Sequence, residues 1–193
     1  MTVKAPPDPL DTALPPLVVG RYRSPDGRAE VALRSSVWLD GAWWSCLDRT
    51  FQAGAGFLVP HRHAHTDEVH FVREGVVRYL QRGRVRTAHA GAVIVIPAGT
   101  IHADPWATKD GPVTVTSLLS PASPAWIDFG LRVGRATRSG QLTRRGQPPL
   151  PVVMRIVHET GADVLAPGLP AWLQRRLAIP ALAAVGRLFW RDA

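Results

Sequence analysis

The chain has 193 residues, 46% of them hydrophobic, which is enough for one domain with a packed core and extra structure at its ends. Its formal net charge is +8, from 23 basic against 15 acidic residues, and 21 of the basic residues are arginines. They are spread along the chain in short pairs such as Arg144-Arg145 and Arg175-Arg176, with no long basic block and no recognisable binding motif, so no nucleic-acid partner is expected. Cys46 is the only cysteine, which excludes an intrachain disulfide, and no apolar run is long enough to span a bilayer, so no membrane partner is expected.

In chain order, the start "MTVKAPPDPLDTALPPL" lacks the apolar core of a signal peptide, which points to a cytoplasmic protein. Its repeated prolines exclude both helix and inner strand, so residues 1–28 are read as an irregular arm. Residues 29–120 carry short apolar runs separated by turns: "AEVALRSSVWL", "WWSCLDRTFQ", "EVHFV", "VVRYLQRG", "RVRTAHAG", "AVIVIP" and "PVTVTSLLS". Runs rich in β-branched and aromatic residues at this spacing predict an antiparallel sandwich or barrel. Cys46, inside one of them, is expected to be a small buried residue and not a nucleophile.

Beyond Pro124 the apolar spacing becomes helical, in "AWIDFGLRVGRAT", "LPVVMRIVHETG" and "AWLQRRLAIPALAAVGRLFW". Residues 121–193 are therefore expected to form a helical C-terminal extension, with Pro180 breaking or kinking the last helix. Its apolar stripes fit core or dimer contact, and a homodimer is expected.

The chemistry concentrates in "VPHRHAHTDEVHFVREG", residues 59–75, which holds four of the seven histidines. Residues two apart in an extended segment share a face, which would bring His61, His63 and His65 to one side. Glu68 and His70 repeat that spacing at the start of the next strand. Three imidazoles and a carboxylate converging from adjacent strands make a first-row transition-metal site; exposed histidines without special role are the alternative.

A second segment, "GAVIVIPAGTIH" at residues 91–102, makes the pair specific. His61, Arg62, His63, four residues, Glu68, six residues and Gly75 resemble the first cupin motif from its histidines onward. The opening glycine of that motif is offset, with Gly54 and Gly56 bracketing its position. Gly91, five residues, Pro97, Ala98, Gly99, two residues and His102 resemble the second motif, with Trp106 where its final asparagine would stand. The resemblance implies a mainly β fold, a double-stranded β-helix or jelly-roll cupin barrel over residues 29–120. It also implies a divalent transition metal (Fe, Mn, Ni, Co or Zn) held by His61, His63, Glu68 and His102.

His70 should point inward two residues after Glu68, as a general base, a substrate contact, a support for a ligand or a hydrogen-bonded interior histidine. His65 is expected at the barrel mouth, Trp106 against the pocket, and His89 and His158 are expected to be structural or exposed. Four protein ligands leave two positions of an octahedral ion open. A dioxygenase resembling the quercetinase-like cupins, acting on a small apolar or aromatic substrate with His70 as catalytic residue, is the leading expectation. A metal-dependent isomerase, lyase or cyclase without redox chemistry is the second, and a barrel that only binds a small ligand the third.

Overall fold

The computed structural model describes residues 4–56, 59–140, 142–143 and 147–189; Arg144, Arg145 and Trp190 lie outside the described residues. Among those described, nine strands come first: β1 (Val18–Arg23), β2 (Ala29–Leu39), β3 (Ala42–Phe51), β4 (Asp67–Glu74), β5 (Val76–Gln81), β6 (Arg84–His89), β7 (Val93–Ile96), β8 (His102–Ala107) and β9 (Val113–Ser120). They pair antiparallel in two sheets, one of six strands in the order β1-β2-β3-β9-β4-β7 and one of three in the order β6-β5-β8. The sheets close on a shared apolar interior. Phe51, Val72, Ile94, Ile96, Val113 and Val115 come from the larger sheet, and Val77, Ala88 and Ala107 from the smaller. The fold is mainly β, the expected cupin double-stranded β-helix, followed by a helical C-terminal part.

Alternation along the central strands explains the layering. On β4, Val69 and Phe71 face outward with Cys46 and Leu118, while Glu68, His70 and Val72 face the interior. Burial pushes the Cys46 thiol up to about 12, which leaves it protonated and unreactive. The outer apolar face is covered by the N-terminal arm: Ala5 packs against it, and Arg73 grips both carboxylate oxygens of Asp8.

Two expectations need correction. The arm is not irregular through residue 28, because Val18–Arg23 forms β1 against β2. The prolines lapse between Pro16 and Pro25, and "VVGRYR" needs to satisfy only one neighbour because it is an edge strand. The other is Trp106. A register shift between Arg78 and Leu80 changes which side of β8 faces inward, so Ala107 enters the interior cluster and Trp106 packs against Gly56.

Gly75 of the first motif shows why glycine is needed at the β4–β5 turn. Its φ is +76°, and a Cβ there would lie 2.3 Å from the Pro112 carbonyl oxygen.

The C-terminal part comprises α1 (Pro124–Arg138), α2 (Leu150–Thr160), a short α3 (Ala171–Leu173) and α4 (Ile179–Phe189), the last two joined by the π-helical turn Gln174–Ala178. Pro180 lies just past that wide turn. Proline cannot donate to residue 176 and its ring crowds the carbonyl there, and an i→i+5 turn absorbs the mismatch without ending the helix. Buried Gln174 staples the preceding loop: its side chain accepts from Ala166 N–H at 2.7 Å and donates to the Ala166 and Leu169 carbonyls at 2.9 and 2.8 Å. Gln174→Ala strands those buried groups and should lower unfolding stability by about 1–3 kcal/mol. Urea denaturation reads this directly, and an unchanged midpoint would show that the loop holds without the staple.

Candidate metal centre

The segment carrying His61 and His63 is extended because it is hydrogen-bonded on both sides. His61 exchanges two backbone hydrogen bonds with His102, at 2.8 and 2.9 Å, and Arg62 does the same with Leu165. Alternation then sends His61 and His63 to one side. His102 opens β8, and Glu68 lies on β4 opposite Leu119 of β9 and Ile96 of β7. The structure thus brings together one ligand atom each from His61, His63, Glu68 and His102, all within 4.8 Å of one another.

Each of the three imidazoles has its Nδ1 against a backbone carbonyl: His61 on Val59 and His102 on Thr100, both at 2.9 Å, and His63 on Asp163. A carbonyl only accepts, so each Nδ1 carries the hydrogen and each Nε2 is the atom available to an ion. The Nε2 atoms of His102 and His63 lie 3.1 and 3.4 Å from Glu68 Oε2. Nitrogen donors with a fixed tautomer around a carboxylate fit a divalent transition metal, so this cluster can hold one.

The site is buried except at one side. The side chains of His63, Glu68 and His102 are at most 4% exposed, whereas His61 is 15% and Asp104 13% exposed. Access is therefore past His61 and Asp104. Burial disfavours the cation at His61 and pushes it down to about 4. Burial acts the same way on His102, but the hydrogen bond and charge of Glu68, with Asp104 behind it, more than offset this and raise it to about 9. Glu68 shows the counterpart. Burial alone would raise its carboxyl, yet the imidazoles of His70, His102 and His63 hold it well below the usual range.

His70 lies inside as expected, fully buried on β4 opposite Ser117. Its Nδ1 receives Arg49 Nη2 at 3.3 Å and sits 2.9 Å from Ser117 Oγ, which itself accepts from Arg49 at 2.7 Å. A guanidinium only donates, so Nδ1 is the acceptor and the ring hydrogen is on Nε2. Burial keeps this ring neutral, pushed down to about 4. His70 therefore presents an N–H to the interior and lies beside the four-residue cluster, not within it. His65, His89 and His158 are exposed; the His65 backbone N–H donates to Asp163 Oδ2 at 2.7 Å.

Three contributors were missed by the sequence reading. Arg49, 6% exposed, pairs with Asp104 and lies 3.8 Å from Glu68 Oε1. Asp104 is held below the ordinary carboxyl range because Arg49 outweighs the burial that would raise it. A signal for Arg49 does exist: it alternates with the interior residue Phe51, so it occupies a core-facing position of β3. Asp163 carries no such mark, one hundred residues beyond His63 in the chain.

Residues 48–119 match the family model of the cupin domain. No curated protein matches the sequence. Among solved structures, KdgF from Halomonas sp. is 17% identical, with 57% of this chain and 96% of that one covered and a TM-score of 0.47. An RmlC-like cupin from Shewanella frigidimarina is 18% identical, with 54% and 86% covered and a TM-score of 0.43. The paired motifs, the double-stranded β-helix and the family match over its strands together show a cupin domain within this chain.

Proposed function

We propose that the protein is a metal-dependent enzyme, a dioxygenase acting on a small apolar or aromatic substrate in the barrel interior. The observation that carries this reading is the convergence of three Nε2 atoms, each with its Nδ1 tied to a backbone carbonyl, on Glu68. His61, His63, Glu68 and His102 would hold the ion, which supplies Lewis acidity and, when redox-active, electrons for dioxygen chemistry. The chain's own residues supply the rest. The packed apolar core that includes Phe51, Val72, Ile94 and Ile96 gives the barrel a rigid, low-dielectric interior. Trp126 stands edge-on to His63 at 5.0 Å and covers the helical side of the site. His70 offers a neutral N–H towards Glu68 Oε1, 3.6 Å away, as a hydrogen-bond or proton donor.

Oxygen consumption with candidate phenolic and enolic substrates, measured with the metal-free protein and after adding Fe²⁺, Mn²⁺ or Ni²⁺, tests the reading. Metal-dependent uptake is expected. Turnover that proceeds equally under nitrogen would replace the dioxygenase with a non-redox isomerase, lyase or cyclase.

A further inference from the structure

Four buried side-chain atoms have no hydrogen-bond partner among the described residues, Ser45 Oγ, Arg49 Nε, His70 Nε2 and Asp104 Oδ1, and the last two belong to residues clustered with Glu68. Ligand atoms of Glu68, His70 and Asp104 lie within 4.8 Å of one another, and Asp104 Oδ1 is 3.7 Å from His61 Nε2 and 3.8 Å from His102 Nε2. This is not a second metal site, because His70 Nδ1 accepts from Arg49, which leaves a hydrogen on Nε2. Asp104 is aimed by Arg49, which binds its other oxygen, Oδ2.

The two orphans are complementary. One is a donor, the other an acceptor, and both are buried where an unmade hydrogen bond is costly. A hydroxyl oxygen between them accepts from His70 Nε2–H and donates its hydrogen to Asp104 Oδ1. An ionised carboxylate has no hydrogen for Asp104, and any anion meets its negative charge. We propose that Asp104 and His70 form a hydroxyl-recognition pair beside the metal and select neutral, hydroxyl-bearing substrates over anionic ones. This rests on the metal-centre reading above and adds the chemical class of the substrate.

The test uses Co²⁺-loaded protein, titrated with phenol and with azide while the visible Co²⁺ bands are followed and metal content is measured. Phenol should perturb the bands of the unmodified protein at lower concentration than azide. Asp104→Asn, which still offers Arg49 an acceptor, should tighten azide by about tenfold or more and weaken phenol by about tenfold, with full Co²⁺ content. His70→Leu gives an independent arm: phenol weakens by about tenfold and azide is unaffected. The proposal is overturned if phenol has no preference in the unmodified protein, if either soluble variant keeps the original preference, or if Asp104→Asn loses its Co²⁺, which would make Asp104 a ligand. Failure of the unmodified chain to bind Co²⁺ at all would instead bring down the metal-centre reading, and this inference with it.

Discussion

Removing any one of the four clustered side chains should weaken divalent-metal binding by about 100-fold or more, whereas His89→Ala should leave it unchanged. The variants are His61→Ala, His63→Ala, Glu68→Gln and His102→Ala. Their four ligand atoms share one 4.8 Å neighbourhood, so each removal takes away one bond to the same ion. Outer contacts set the expected size. Each imidazole ring is already oriented by its Nδ1 hydrogen bond, so little reorganisation of the rings would accompany binding. Exposed His89 lies on β6 of the smaller sheet, outside the cluster, and serves as the control. Competition against a chelating indicator gives the affinities, and circular dichroism checks that each variant is folded. If His102→Ala binds as tightly as the unmodified protein, β8 does not deliver a ligand and the two motif segments do not share an ion.

Metal affinity should rise roughly tenfold per pH unit between about pH 7 and 8.5, with close to one proton released per ion bound. The sign follows from His102. Its pKa in the metal-free protein is raised to about 9, so below that pH its Nε2 carries a proton, donated to Glu68 Oε2 at 3.1 Å. An ion needs the same nitrogen lone pair and must displace the proton. The competition is strongest at low pH and disappears as pH rises through about 9. Glu68, held well below the usual carboxyl range, and His61, pushed down to about 4, are already in their ligating forms across this window and add no slope. Calorimetric titration with Ni²⁺ in buffers of different ionisation enthalpy measures the proton count. A pH-independent affinity with no proton release would show that the Glu68–His102 contact does not store a proton.

The sequence by itself determined the fold class and which segments meet. The short apolar runs "AEVALRSSVWL" and "WWSCLDRTFQ" draw their strand preference from local β-branched and aromatic side chains, and they became β2 and β3. The paired motifs, with His61, His63 and Glu68 in one and His102 in the other, are likewise short-range patterns, because turn glycines such as Gly75 answer to local φ and close approach. Strand β8 was not legible: "HADPWA" contains Pro105, and it survives as a strand only because β8 is an edge of the three-stranded sheet. The electrostatics of the site were beyond sequence reach for the same kind of reason. Spacing alone gives each imidazole the ordinary histidine pKa of ~6.5. Tertiary burial instead separates the imidazoles, lowering His61 and His70 and raising His102 through Glu68. Asp163 reaches His63 across one hundred residues, and Arg49 of β3 meets Asp104 of β8 although the two strands lie in different sheets. Asp163 leaves no periodic trace in the chain, and the alternation that turns Arg49 inward does not name its partner. Hydrogen bonds and charges act through space at a few ångströms, so which groups tune the centre was decided only when the sheets and the C-terminal helices packed around it.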